Sequence, residues 1–307
     1  MEIIRGTKNL ARKFKNSAIT IGNFDGIHLG HQEIFKKVKQ RASELNGNSM
    51  VYTFDPHPLN VLAPHKKVPI ITSFSEKMKL IEESKIDIVI CEDFTPEYAN
   101  LSPRQFVEDI LLDKIGIKAI FVGHDYAFGK GRQGNISTLK QFGEELDFEV
   151  RVVDAIKVDD ILVSSTKIRG FVQEGEVKKV ARLMGRYYSI TGRVGRGKSR
   201  GKGMGFPTAN LRSVEELFPR PGIYVVHVFY RGRSYHGVVN IGFNPTFKDQ
   251  TLSVEVFIMD FNKDIYGEDV RISFVDRLRD EKAFDSPDEL VEQIKKDVEK
   301  AREILKE

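Results

Sequence analysis

Two histidines separated by two residues stand where a buried strand and a tight turn lead into a helix. Residues 18–31 read Ala-Ile-Thr-Ile-Gly-Asn-Phe-Asp-Gly-Ile-His-Leu-Gly-His. The first four residues form a short run of apolar and β-branched side chains, which favours a buried strand. Gly22 and Gly26 then favour a turn, because glycine reaches positive φ without steric cost. His28 and His31 follow at the predicted start of the helix.

Apolar residues recur at helical spacing from Gly30 to about Leu45, so both imidazoles lie on one face of the helix N-terminus. Free backbone N–H groups and the positive end of the helix dipole attract phosphate at such a position. A histidine pair at this spacing, taken alone, is more often a surface feature or half of a metal site. The strand, turn and helix around it favour a nucleotide-phosphate site.

A second candidate for phosphate binding is the run Ser164-Ser165-Thr166-Lys167-Ile168-Arg169. It follows a short predicted strand, and a helix is predicted to begin near Thr166. Hydroxyls and an arginine in the first turn of a helix suit a polyphosphate. The same hydroxyls are equally typical of ordinary N-capping.

A third candidate is the glycine-rich basic run from Gly195 to Gly203. It lacks the spacing of a Walker A loop. On charge alone, an RNA-binding or merely solvated basic loop is favoured.

Composition sets the class of protein. The chain has 307 residues, 40% hydrophobic and 30% charged, which suits two ordinary globular domains. A single cysteine, Cys91, excludes a disulfide framework and suits a reducing cytoplasm. A net charge of +4 is compatible with anionic ligands and is too mild to indicate nucleic-acid binding. We expect no membrane span and no secretory leader. Nothing in the sequence indicates an oligomeric state.

In the first half, predicted strands alternate with helices, which is typical of a Rossmann-like parallel sheet with helices on both faces. The turn after residue 21, the Asp55-Pro56-His57-Pro58 loop and the Asp125–Phe128 loop all follow strands. We therefore expect them at one rim of the sheet.

The pattern of predicted elements changes near residues 183–187, where closely spaced strands without intervening helices begin. This pattern predicts a small antiparallel β-barrel. Ser286-Pro287-Asp288-Glu289 resembles a capping box and predicts a terminal amphipathic helix. The predicted domains are residues 1–184 and 185–307.

Residues 22–32, Gly-Asn-Phe-Asp-Gly-Ile-His-Leu-Gly-His-Gln, resemble the nucleotidyltransferase signature, and in particular the adenylyltransferase half of bacterial bifunctional riboflavin kinase/FAD synthetases. The resemblance implies that His28, His31 and Arg169 are catalytic. It places ATP at Gly22, Asn23, Phe24, Asp25, Gly30, Ser164, Ser165 and Thr166. Candidates on the flavin side are His57, Asp125 and Phe128, the last by stacking.

Residues 205–210, Gly-Phe-Pro-Thr-Ala-Asn, resemble the Pro-Thr-Ala-Asn motif of riboflavin kinases. The resemblance implies that Thr208 and Asn210 hold Mg²⁺ and ATP, since both supply hard oxygen ligands. It also implies that Gly195, Gly197, Lys202 and Gly203 contact ATP, and that Glu255 is an inward-pointing general base. An outward-facing glutamate fits the strand pattern equally well. Arg279 is predicted near nucleotide or flavin, and Phe257 departs from the histidine of many relatives.

The resemblance covers nearly the whole chain and implies a riboflavin kinase fused behind an FMN adenylyltransferase. The implied small molecules are ATP, riboflavin, FMN and FAD with Mg²⁺, without nucleic acid or membrane partners. Two alternatives remain: an adenylyltransferase for another phosphorylated substrate such as a nicotinamide or pantetheine phosphate, and a non-enzymatic RNA-binding protein.

Overall fold

The computed structural model describes residues 1–195, 205–212, 217–243 and 252–306. Its chain divides into two compact units, Met1–Ser165 and Thr166–Glu307. Within the described residues, no helix is both long and apolar enough to cross a membrane.

The first unit is built on a six-stranded parallel sheet, as the alternation of strands and helices predicts. Its strands are β1 (Glu2–Arg5), β2 (Ser17–Ile21), β3 (Ser49–Phe54), β4 (Ile88–Glu92), β5 (Ile117–Gly123) and β8 (Glu149–Val153). The order across the sheet is β1-β4-β3-β2-β5-β8. After β2 the chain adds β3 and β4 on one side of that strand and then crosses over to add β5 and β8 on the other. In open α/β sheets, ligands bind at such a switch point.

Helices cover both faces of this sheet. They are α1 (Leu29–Glu44), α2 (Pro58–Leu62), α3 (Phe74–Glu83), α4 (Pro96–Ala99), α5 (Pro103–Gln105), a π-helical segment (Phe106–Ile115) and α6 (Ile136–Glu145). Short 3₁₀ turns occupy Thr7–Asn9, Pro64–Lys66 and Lys130–Arg132. Two small hairpins pair β6 (Ala127–Phe128) with β7 (Gly134–Asn135), and β9 (Lys157–Val158) with β10 (Ile161–Leu162).

Alternate residues of the strands enter separate cores on the two faces. Ile19 packs with Ile110 and Leu139 on one face, whereas Ala18 packs with Val38 of α1 on the other. Because both faces are buried, β2 is fully buried along its length, as expected of a central parallel strand.

The second unit contains a closed antiparallel barrel, which confirms the prediction. Its strands are β11 (Tyr188–Gly195), β12 (Thr208–Arg212), β13 (Gly222–Tyr230), β14 (Arg233–Phe243), β15 (Leu252–Ile258) and β16 (Asp269–Arg279). The order around the barrel is β11-β12-β15-β14-β13-β16. The terminal helix α9 (Pro287–Ile304) begins at Ser286, whose hydroxyl accepts a hydrogen bond from the N–H of Glu289 as predicted.

Two helices precede the barrel: α7 (Ser165–Glu174) and α8 (Val177–Met184). The division of the chain places all of α8 and nearly all of α7 in the second unit. The predicted domain boundary near residues 183–187 was placed where closely spaced strands begin, and it lies after both helices. It stays a prediction of where the barrel domain begins.

Candidate active sites

The turn between β2 and α1 is held in a backbone conformation that costs energy. Phe24 and Ile27 both adopt positive φ, at 48° and 36°, and Gly26 lies between them at 87°. Non-glycine residues adopt such angles only where the surroundings hold them. Phe24 and Ile27 are 3% and 1% exposed, so packing of their side chains fixes the turn.

The two histidines lie together at the N-terminus of α1, as the spacing predicts. Their rings are stacked, with 3.6 Å between centroids. His28 is the N-cap, and its Nδ1 accepts a hydrogen bond from the N–H of His31 at 3.3 Å. The neutral His28 ring therefore carries its proton on Nε2, which makes that nitrogen a donor.

Gly30 allows this arrangement. A Cβ atom at residue 30 would lie 3.2 Å from Cε1 and Nδ1 of His28, which is tighter than normal contact. The glycine between the histidines thus leaves room for the His28 ring. Gly30 is predicted to contact ATP, and the space needed by the His28 ring is a second reason for a glycine at this position.

Asp25 fixes the turn to a neighbouring segment. Its carboxylate is 4% exposed and accepts hydrogen bonds from the N–H groups of Ile71 and Thr72 at 3.0 to 3.2 Å. The backbone carbonyl of Asp25 also accepts a hydrogen bond from the Ser165 hydroxyl at 2.8 Å. The structure therefore brings Ser165 to the turn, and it uses the Asp25 carboxylate to hold the backbone.

A small cleft opens beside the turn, and Asn23, Asp25 and His57 all line it. His57 Nε2 lies 3.3 Å from the side-chain amide of Asn23, while its Nδ1 accepts a hydrogen bond from the N–H of Leu59. The sheet thus joins the Asp55–Pro58 loop to the glycine turn, although 34 residues separate Asn23 from His57. Lys77 also lines this cleft, and sequence reasoning did not single it out.

The other predicted flavin residues follow β5. Asp125 is exposed on this loop. Phe128 is 7% exposed and packs with Tyr126 in a stacked geometry and with Phe106. Its ring therefore belongs to the protein core, and stacking on a flavin stays a prediction.

Ser164 and Ser165 end the first unit, whereas Thr166 and Arg169 belong to the second. The predicted helix near Thr166 is α7, which begins at Ser165. Arg169 lies on this helix and is half-buried. The roles of these four residues stay predictions.

In the barrel, three polar residues lie side by side on adjacent strands. Asn210 of β12 is directly across from Glu255 of β15, and Glu255 is directly across from Asn240 of β14. Thr208 pairs with Phe257 two residues along, so it shares this face. Directly opposed side chains in antiparallel strands have Cβ atoms about 5 Å apart. We call Thr208, Asn210, Asn240 and Glu255 the polar row.

The predicted inward orientation of Glu255 is wrong. Val254 and Val256, on either side of it, are 3% and 1% exposed and fill the barrel core. Because side chains alternate along a strand, Glu255 points to the outer face of the barrel, where it is half-buried. Its place beside Asn210 is compatible with the predicted role.

Asn240 and Glu281 lie near Glu255, and neither of them was given a role from the sequence. Asn240 Oδ1 is buried without a hydrogen-bond partner among the described residues. Glu281 lies over Gly242, because a Cβ at residue 242 would meet its carboxylate. Burial raises the pKa of Glu281 and the nearby Glu255 raises it further, while a hydrogen bond with Asn240 lowers it. In the sequence, the polar Asn240 within the Asn240-Ile241-Gly242 segment was the feature that could have indicated this position.

Arg279 has a partner on the terminal helix. Its guanidinium donates to both carboxylate oxygens of Asp297, with the shortest distance at 2.6 Å. Asp297 is 7% exposed. The structure thus gives Arg279 a role in attaching α9, and its contact with nucleotide or flavin stays a prediction.

The predicted ATP contacts in the basic run are described in part. Gly195 ends β11, directly across from Asn210. Gly197, Lys202 and Gly203 lie outside the described residues.

A parallel sheet with a histidine pair at its switch point, together with a barrel that carries the polar row, defines a nucleotide-dependent transferase with a candidate site in each unit. The FAD synthetase family model matches residues 10–167, and the riboflavin kinase family model matches residues 184–305. The chain belongs to the family of bifunctional riboflavin kinase/FMN adenylyltransferases.

Known proteins resemble the chain over nearly its full length. The bifunctional riboflavin kinase/FMN adenylyltransferase of Buchnera aphidicola is 36% identical, with 97% of this chain and 96% of the relative covered. The protein of the same description from Listeria monocytogenes is 37% identical, covering 94% and 92%. A crystal structure described as a macrolide-efflux protein from Streptococcus pneumoniae has a TM-score of 0.91 at 32% identity, covering 98% and 99%.

Proposed function

We propose that this chain makes FAD from riboflavin in two ATP-dependent steps, one in each unit. The barrel phosphorylates riboflavin to FMN, and the first unit adenylylates FMN and releases pyrophosphate. The observation that carries the proposal is that each matched family covers a part of the chain with its own polar site. The match to riboflavin kinase favours a flavin over a nicotinamide or pantetheine phosphate as the substrate.

In the kinase step, Glu255 accepts the proton of the terminal ribityl hydroxyl of riboflavin as that oxygen attacks the γ-phosphorus of ATP. The bond from the γ-phosphorus to the bridging oxygen breaks, and ADP leaves. A carboxylate in this position acts as a general base. Asn240 Oδ1, buried beside Glu255, accepts a hydrogen bond from the substrate.

A divalent cation fits the polar row because Thr208 and Asn210 offer a hydroxyl and an amide oxygen, which are hard ligands. When it binds with ATP, Mg²⁺ neutralises charge on the phosphates. Thr208 and Asn210 would hold it through their side-chain oxygens. Among the described residues no cluster of three or more His, Cys, Asp or Glu could hold a metal ion.

In the adenylyl step, an FMN phosphate oxygen attacks the α-phosphorus of ATP and pyrophosphate leaves. The attacking group is already an anion, so no protein nucleophile is needed. His28 and His31 donate to the phosphates at the N-terminus of α1, where the helix dipole also stabilises negative charge. Ser164 and Ser165 bind the polyphosphate beside the turn that Asn23 and Asp25 shape, since the Ser165 hydroxyl already donates to the Asp25 carbonyl. The ATP contacts of Thr166 and Arg169 stay predictions.

A variant that inactivates only the candidate site of the first unit tests whether that unit carries out adenylyl transfer. Replacing His28 and His31 with Ala removes two donors to the transferred phosphates, and we expect FAD formation from FMN to fall by about 10²–10⁴-fold. Formation of FMN from riboflavin stays at the wild-type rate. Chromatography of the products measures both steps, and the exposed His65→Ala variant is the matched control.

The converse variant is Glu255→Gln. Without the general base, FMN formation falls by about 10²–10⁴-fold while FAD formation from added FMN persists. The exposed Glu299→Gln serves as its control. If either site variant abolished both activities in a folded protein, the assignment of one site to each unit would be wrong.

A further inference from the structure

Lys77 is a buried cation in the first unit that the proposed mechanism does not use. It lies on α3 and is 8% exposed. Among the described residues it forms no ion pair with a carboxylate. Burying an ammonium is costly even with Asp25 and Asp55 near enough to favour its charged form, so a buried lysine of this kind calls for a specific role.

The Lys77 ammonium donates to three oxygen atoms, each at 3.3 Å. They are the backbone carbonyl of Asn23, the hydroxyl of Thr53 and the backbone carbonyl of Phe54. Asn23 lies in the turn after β2, and the other two residues end β3. One ammonium therefore joins the carboxyl ends of the two central strands.

Thr53 completes a triangle with the same atoms. Its hydroxyl donates to the carbonyl of Asn23 at 3.2 Å while accepting from Lys77. The Asn23 carbonyl thus accepts two hydrogen bonds from buried donors, and Thr53 is 0% exposed. The N–H of Gly22 donates to the carbonyl of Tyr52 at 3.0 Å, which fixes the entry to the turn.

The segments that Lys77 joins are those that carry the candidate site. The Asn23 side chain contacts His57, and the strained turn that follows Asn23 leads directly to His28. Burial lowers the pKa of Lys77, while Asp25 and Asp55 oppose that change.

We propose that Lys77 is a positioning residue for adenylyl transfer, which holds the turn of Asn23 and the end of β3 in the geometry that the reaction needs. The inference rests on the proposed function of the first unit. Lys77 acts through Asn23 and the turn, so its loss affects the rate of the chemical step more than substrate binding.

The test compares Lys77→Met with Lys79→Met, a matched change on the same helix whose side chain is 52% exposed. Steady-state rates of FAD formation from FMN and ATP–Mg²⁺ are measured well below the unfolding temperature of each variant. We expect kcat of Lys77→Met to fall by about 10–100-fold, because small displacements of reacting groups have effects of this size. The KM values for ATP and FMN stay within about 3-fold, and riboflavin phosphorylation is unchanged.

A milder variant keeps the test decisive if Lys77→Met does not fold. Thr53→Val removes one of the two hydrogen bonds to Asn23 and keeps the side-chain volume, and we expect kcat to fall by about 3–10-fold. If Lys77→Met folds, the Lys77→Met/Thr53→Val double variant should have a kcat within about 3-fold of that of Lys77→Met. Both residues donate to the same Asn23 carbonyl, so their effects should not add.

Three results would overturn the inference: a kcat equal to that of Lys79→Met, a lowered unfolding temperature with kcat preserved, or a raised KM with kcat preserved. The last would make Lys77 a substrate contact. If wild type and Lys79→Met also failed to convert FMN, the proposed function of the first unit would be wrong instead.

Discussion

At the scale of single residues, the candidate site of the first unit depends on polar groups that bind backbone. The Asp25 carboxylate receives the N–H groups of Ile71 and Thr72, and His28 Nδ1 receives the N–H of His31. Hydrogen bonds to an ionised carboxylate are stronger than those between neutral groups. These hydrogen bonds hold the backbone of the turn through the protein's own groups, which favours catalysis by positioning.

Asp25→Asn tests this role at the residue scale. The amide keeps one acceptor but points a donor at backbone N–H groups, and an unsatisfied buried donor costs about 1–3 kcal/mol. We expect the first unit to lose stability by that amount in urea unfolding, and FAD formation to fall with it. The exposed Asp93→Asn should behave as wild type. Equal unfolding midpoints for the two variants would contradict the proposed role of the carboxylate.

At the scale of elements, the terminal helix depends on one buried ion pair and a small apolar surface. Val298, Ile304 and Leu305 pack with Ala301 against the barrel, next to Phe257. Asp297 receives three hydrogen bonds from Arg279 and a fourth from Gln293. Lys282 contacts Gln293, so the segment that carries Glu281 is attached to the same helix.

Asp297→Ala tests the attachment of this element. It leaves the half-buried guanidinium of Arg279 without its carboxylate, and the loss of one partner of a buried pair costs roughly 3 kcal/mol. We expect that loss in the urea unfolding of the second unit, together with a lower rate of riboflavin phosphorylation. Asp288→Ala, exposed at the start of the same helix, is the control.

Arg279→Ala separates attachment of the helix from binding of flavin. If Arg279 only holds α9, its replacement should match Asp297→Ala in both stability and the KM for riboflavin. A larger increase in that KM for Arg279→Ala would support the predicted contact with flavin.

At the scale of the whole molecule, each unit has its own core and its own candidate site. Hydrophobic clusters cover the two faces of the parallel sheet, and a separate cluster lies beneath the terminal helix of the barrel. The proposed steps are linked chemically, because the product of the barrel is the substrate of the sheet.

Mixing two variants tests this organisation. Glu255→Gln and the His28→Ala/His31→Ala double variant should each fail to convert riboflavin to FAD. Because FMN diffuses between molecules, an equimolar mixture should produce FAD, though more slowly than wild type. Chromatography of a time course measures riboflavin, FMN and FAD together. A mixture that accumulates FMN without FAD would contradict two independently working sites.

Much of this organisation could be predicted from local sequence. The spacing of apolar residues predicted α1, and Ser286 with Pro287 predicted the start of α9. Strand β12 could not be predicted from an apolar pattern, because Thr208 and Asn210 replace apolar residues on one face. Edge strand β1 was missed because three of its four residues are exposed, so the sequence lacks a buried pattern.

By itself, the sequence determined the alternation of strands and helices in the parallel sheet, the barrel and its terminal helix, and it predicts phosphate binding at residues 22–31. These follow from side-chain periodicity and from glycine and helix-capping chemistry, which act over a few residues. Tertiary structure alone decided that Glu255 faces outward between Asn210 and Asn240, that Arg279 pairs with Asp297, and that Lys77 joins β2 to β3. Each depends on strand register or on packing between distant segments, and neither is encoded in the spacing of neighbouring residues.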